Sequence, residues 1–148
     1  MNLKDITSLL IASLLFIFNA NAQLLGREYL GSASFYAKMF HGRTTSCGEK
    51  FSNNDFTAAH RSLPFNTMLE VTNLTNKRTI TVRVNDRGPY NRGRILDLTY
   101  AAADFLGFTN KGVAKVRIRV VGMENMILLG RNEIITDVGD IIERLAVN

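Results

Sequence analysis

Two stretches of this chain alternate apolar and polar residues without a break, and a period of two cannot be laid on a helix. In Thr79-Ile80-Thr81-Val82-Arg83-Val84 the alternation puts Ile80, Val82 and Val84 on one face of a strand. In Lys115-Val116-Arg117-Ile118-Arg119-Val120 three β-branched residues face one way and three bases the other, which predicts a strand with one solvated face.

The remaining elements follow from turn chemistry around these two. Met68 to Thr72 reads as a strand, and the Asn and Thr residues of Asn73 to Lys77 read as the turn that joins it to the Thr79 strand in a hairpin. Tyr29 to Tyr36 is the predicted opening strand. Thr99 is placed to cap a short helix through Ala101, Ala102, Ala103 and Leu106, with Gly107 ending it. Short strands, glycine turns and so few helical segments predict an all-β closed barrel, since a doubly wound sheet needs repeated helical crossovers. Beyond Gly122 the pattern changes. Met126 to Leu129 reads as a further strand, while Val138, Ile141, Ile142 and Leu145 fall at helical spacing, predicting a short helix packed back on the barrel.

Composition matters mainly at the ends and in the charge. Of 148 residues, 46% are hydrophobic and 21% charged, within the globular range. Lys4, an apolar run from Leu9 to Phe18, and Ala20-Asn21-Ala22 before Gln23 have the form of a secretory leader. Cleavage after Ala22 is expected, because the apolar run is too short to span a bilayer. The expected division is a leader at 1–22, a barrel at 23–122 and an extension at 123–148. The only cysteine, Cys47, closes no intramolecular disulfide and lies far from the cleavage site, so the exported product is expected without a lipid anchor. A monomer is expected.

Loss of the leader removes one base, Lys4, and one acid, Asp5, so the charge stays at +5. A basic exported domain suits a polyanionic partner. Nucleic acid is not expected, given the leader and the lack of an aromatic-flanked basic patch; anionic wall polymer fits better. Simple solubility accounts for the same charge.

Three polar clusters carry groups capable of chemistry: Thr44 to Glu49, Thr57 to Phe65, and Asn85-Asp86-Arg87-Gly88-Pro89-Tyr90. Asp86 follows the Val84 strand directly and precedes a forced turn, so its carboxylate is held at a strand end, either for acid-base work or simply to accept hydrogen bonds from the turn. Glu49, between Gly48 and Phe51, is expected against apolar surface with its pKa raised, or as an ordinary loop residue. His60 suits a sugar-binding or carboxylate-orienting role, or a satisfied buried one. His41, Cys47, Glu49 and His60 match no zinc spacing, and no metal or cofactor is expected. A Cys47–His60 thiol pair lacks an identifiable orienting partner.

Taken together, Gly31 to Tyr36, Thr44 to Phe51, Ala58 to Phe65, Val82 to Pro89 and Arg94 to Thr99 resemble the rare lipoprotein A family over residues 29 to 121. The resemblance implies a six-stranded double-psi β-barrel with one or two short helices. It also implies a lytic transglycosylase that cuts peptidoglycan glycan strands, preferentially those stripped of stem peptides, leaving 1,6-anhydro-muramyl ends.

On that resemblance, the catalytic positions are Asp86, Glu49 and His60. Protonated Asp86 gives its proton to the glycosidic oxygen, then takes one from the muramyl 6-hydroxyl as it attacks the anomeric carbon. Arg87, Tyr90, Thr45 and Asp97 are the expected substrate-binding residues. Three departures from the family pattern are expected: no N-terminal lipidated cysteine, no following sporulation-related repeat, and Cys47 at a position more often small and polar. The alternative is an expansin-like module that grips wall polysaccharide without cutting it.

Overall fold

The computed structural model describes residues 1–22, 24–125, 133–135 and 141–143. A helix, α1, spans Leu3–Ala22. The barrel strands are β1 Glu28–Phe35, β2 Thr57–Ala59, β3 Thr67–Asn73, β4 Thr79–Asp86, β5 Arg94–Leu98 and β6 Ala114–Met123, with a short helix, α2, at Tyr100–Phe105 between the last two. Two further strands, β7 Glu133–Ile135 and β8 Ile141–Glu143, form an antiparallel pair of their own. Among the described helices none is long and apolar enough to cross a membrane.

The six strands close in the order β1-β5-β2-β4-β3-β6, with β6 returning to β1 antiparallel. Two of the contacts are parallel, β1 with β5 and β2 with β4. A parallel contact needs a long connection. Here β3 itself lies within the connection from β2 to β4, and β2, β3 and β4 lie within that from β1 to β5, so strands replace the helices of a wound sheet. Interlocked parallel pairs of this kind make the barrel the predicted double-psi form.

The alternating runs behave as read. Val82 and Val84 of β4 and Val116, Ile118 and Val120 of β6 are buried with Leu69, Val71, Leu96, Leu98, Leu106 and Phe108 in one core. Each such side chain contributes about 1.5–3 kcal/mol over an exposed one. Arg119 corrects the expected solvated face: it is 5% exposed and its Nε donates to Glu70 Oε1 across the β3–β6 ladder at 3.3 Å. A buried guanidinium requires such a partner.

The hairpin turn and α2 brace each other. Asn73 and Asn76 from the β3–β4 turn both donate side-chain N–H groups to the Leu106 carbonyl at 2.9 Å. They satisfy a helix-end acceptor that would otherwise lack a partner. Gly107 ends α2 at φ +76°, and a Cβ there would meet Asn76 Nδ2 at 2.9 Å. Thr99 holds the N-cap position but makes no side-chain capping bond. Its hydroxyl donates instead to the Asp55 carbonyl at 2.5 Å, tying the helix start to the loop before β2.

The expected C-terminal helix is corrected where it is described. Ile141 and Ile142 lie in β8, facing Ile135 and Ile134 of β7. Stiff β-branched side chains favour the extended form once a partner strand is present. Val138, Leu145 and the strand expected at 126–129 lie outside the described residues.

Candidate functional site

β2 is three residues long, and its last residue, Ala59, pairs with Asp86 on β4 and with Asp97 on β5. Two acids far apart in sequence are thereby set on either side of one alanine, with Cα atoms about two strand spacings, roughly 10 Å, apart. Ala59 is fully buried, and its methyl group leaves room for the turn at Gly88, where an added Cβ would lie 3.9 Å from it. Gly88 sits at φ +127°, a conformation that favours glycine.

Both acids line an open groove of about 510 Å³. Its walls carry Tyr36, Phe40 and Phe51 as an aromatic group, Arg43 and Arg94 as cations, and Thr45, Ser46, Pro89 and Tyr90. Tyr90 is 85% exposed at its edge.

Among the described residues, four donors hold Asp86. Its Oδ1 accepts from the Ser46 N–H at 2.8 Å, the Ser46 hydroxyl at 2.7 Å and the Arg87 N–H at 2.9 Å. Its Oδ2 accepts from the Tyr36 hydroxyl at 2.6 Å. Burial pushes this carboxyl up, but the bonds from Tyr36, Ser46 and Arg87 together outweigh it and hold the group below the usual aspartate range. Asp97 accepts from the Ser34 hydroxyl at 2.6 Å and lies 3.7 Å from Arg94 Nε. That Nε is buried and, among the described residues, makes no hydrogen bond.

Glu49 and His60 do not line the groove. The Glu49 carboxylate takes a forked pair of bonds from Arg83, at 2.6 and 2.9 Å, and a third from Asn85 at 3.2 Å. Of the two readings of Glu49, the raised pKa against apolar surface is not met: the Arg83 bonds hold the carboxyl low, because a cation faces it. This pair anchors the 44–50 loop that carries Ser46 to Asp86.

His60 is 8% exposed, and its Nδ1 accepts the backbone N–H groups of Ser62 and Leu63 at 3.2 and 3.0 Å. Burial, with Arg87 and Arg61 nearby, pushes it down to about 4, so the ring is neutral. Its own backbone N–H donates to the Asp86 carbonyl at 3.2 Å, fixing the end of β4.

The four expected binding residues all line the groove, but two of them are engaged by the protein itself. Arg87 lines the groove, but its guanidinium donates to the carbonyls of His60 and Leu63 and lies 3.9 Å over the Phe65 ring. Thr45 is buried, with its hydroxyl donating to the Glu49 carbonyl. Tyr90 and Asp97 are on the groove surface. Cys47 Sγ lies 3.3 Å from Thr45 Oγ1, and among the described residues no three His, Cys, Asp or Glu side chains converge as a metal requires.

Sequence reasoning does not single out Tyr36, Ser46, Arg43 or Arg94. Tyr36 and Ser46 stand inside the blocks that carry the family resemblance, yet no local spacing signals a contact 50 or 40 residues away.

A closed barrel with interlocked parallel pairs and two acids flanking β2 in one groove defines a double-psi β-barrel with a carboxylate site. Residues 29–118 match the family model described as "Lytic transglycolase", and the chain belongs to that family. It is 52% identical over 98 residues to a Campylobacter jejuni protein named "Endolytic peptidoglycan transglycosylase RlpA", covering 66% of this chain and 36% of that one. Across the first such relatives the matched stretch spans between 26% and 38% of their length.

Solved structures share the fold. The Streptomyces papain inhibitor matches with TM-score 0.53 and 23% identity, over 65% of this chain and 96% of that one. A variant of the Clavibacter michiganensis expansin, in complex with cellohexaose, matches with TM-score 0.52 and 21% identity, over 64% and 50%.

Proposed function

We propose that this chain is an endolytic lytic transglycosylase, which cleaves peptidoglycan glycan strands to 1,6-anhydro-muramyl ends. The observation that carries the reading is Asp86 in the groove, where, among the described residues, Oδ1 is saturated by three donors and Oδ2 accepts from one. The name of the Campylobacter relative supports the substrate and the reaction.

In the open groove Asp86 is a carboxylate, the form that takes the proton from the muramyl 6-hydroxyl. A glycan strand laid over it strips away water and pushes its pKa up, the direction in which burial already acts, favouring the acid form that protonates the glycosidic oxygen. The carboxyl gives one proton and regains one, so the cycle closes without water as nucleophile. Asp97, the second acid of the groove, stabilises positive charge developing at the anomeric carbon. Glu49 and His60 act behind the groove, by holding the Ser46 loop and the end of β4.

Arg43 and Arg94 favour strands stripped of stem peptides, whose lactyl groups end in free carboxylates that guanidinium groups can pair. Tyr90 offers a face on which a sugar can stack. We assign residues 1–22 as a leader, 23–122 as the working barrel and 123–148 as an extension, and place the protein in the cell envelope, acting as a monomer. The chemistry uses side-chain acid-base groups alone and calls for no cofactor.

The test is digestion of purified peptidoglycan, intact and amidase-treated, by the protein lacking its leader, with mass spectrometry of the released sugars. Products with 1,6-anhydro-muramyl ends are expected, as muropeptides from the intact wall and, in greater amount, as peptide-free saccharides from the amidase-treated wall, with Asp86→Asn lowering their release about a hundred-fold or more while the fold is kept. Sedimentation of the wild-type protein with the wall, without release from either substrate, would overturn the enzyme reading and leave a binding module.

A further inference from the structure

Tyr36 makes the shortest of the four bonds to Asp86, at 2.6 Å, from the residue that follows β1. Its ring packs against two others, Phe51 with centroids 4.5 Å apart and Phe40 at 5.8 Å, and its backbone N–H donates to the Leu98 carbonyl at 3.0 Å. A phenol fixed by packing and backbone alike brings its O–H to the carboxyl at little further cost in entropy.

The two oxygens of Asp86 are unequal. Oδ1 has three donors for its two lone pairs, from Ser46 and Arg87, and so has no place for a substrate proton. Among the described residues Oδ2 accepts only from Tyr36, which leaves one lone pair. We infer that Tyr36 is a positioning residue for Asp86, fixing Oδ2 as the oxygen that exchanges protons with the glycan and setting the pH range over which it does so. The proton exchange with the glycan and its pH range rest on the proposed reaction; the coupling of Tyr36 to Asp86 does not.

The groups around Asp86 leave this role to Tyr36. Asp97 and Arg94 come from β5 and lie beside one another. Arg43 reaches the groove from the loop after β1, with its guanidinium 5.0 Å over the Phe40 ring. Arg87 is turned to the His60 and Leu63 carbonyls, His60 beyond β2 is neutral, and Tyr90 is exposed at the edge. None of these side chains hydrogen-bonds Asp86, whereas Ser46, the other side-chain donor, bears no titratable group. Burial and the Asp86 bond push the Tyr36 phenol well above its ordinary value, so it remains a donor throughout the working range.

Tyr36→Phe keeps the ring and removes only the O–H. With ¹³C-labelled aspartate, and the Asp86 signal assigned by its loss in Asp86→Asn, the carboxyl titration is expected to move up by on the order of one pH unit in Tyr36→Phe. Placing 3-fluorotyrosine, a stronger donor, at position 36 should move it the other way. In the digestion assay the limb of the kcat/KM profile governed by Asp86 should move up with it, while KM stays within about two-fold.

An Asp86 titration unchanged by both replacements would overturn the inference, as would a profile that keeps its pH limb and loses only affinity. The titration needs no substrate. A wild-type protein that released nothing from peptidoglycan would therefore sink the transglycosylase reading while leaving the Tyr36–Asp86 coupling to be decided by NMR.

Discussion

Of the residues expected in catalysis, Glu49 and His60 lie outside the groove, the first paired with Arg83 and the second with its Nδ1 taken by two backbone N–H groups. His60 has a measurable signature. Unfolded, it takes up a proton near 6.5, whereas folded it refuses one until about 4. Between those values the unfolded chain binds more protons, so this contribution is complete above pH 6.5 and is lost as the pH falls toward 4. It amounts to about 3 kcal/mol, and urea midpoints measured from pH 7 to 4 should fall more steeply for the wild type than for His60→Gln. Equal slopes would show that the ring is not buried neutral. Asp86 is readable as a held carboxylate because a strand ends there and a Gly-Pro turn follows. Tyr36 is not, since its partner lies 50 residues away and only barrel closure brings the two together.

At the scale of elements, legibility follows side-chain pattern. β4 and β6 carry a full period of two and are readable at once, whereas Thr57-Ala58-Ala59 carries no such signal and becomes a strand because β4 and β5 flank it. Its neighbours supply the ladder that its own residues do not specify. Close approach is equally invisible in local sequence. A Cβ on Gly31 of β1 would sit 2.7 Å from Ile95 Cγ2 of β5. Alanine there gains up to about 1 kcal/mol in chain entropy but forces Ile95 and its strand apart, at about 1–3 kcal/mol. The overlap wins, and Gly31→Ala should lower the melting temperature by several degrees. Adding Ile95→Ala should recover part of that loss relative to Ile95→Ala alone; a strictly additive pair would argue against the contact.

For the whole molecule, the shell is complete between Glu28 and Met123, because β6 closes on β1 and the core draws on that span. A protein comprising residues 24–125 is therefore expected to melt cooperatively within about 5 °C of one comprising residues 23–148, by calorimetry or circular dichroism. A loss well beyond that would make the terminal segments part of the folding unit. Alternation, turn residues and the resemblance of five ordered blocks established, from sequence by itself, that this chain forms a small double-psi barrel with an acid at the end of one strand. Which groups stand beside that acid was decided by tertiary structure. Strand pairing is non-local: β2 pairs parallel with β4 and antiparallel with β5, which sets Asp86 and Asp97 across Ala59, and barrel closure brings Tyr36 to Oδ2, while a guanidinium and two backbone amides pair with Glu49 and His60.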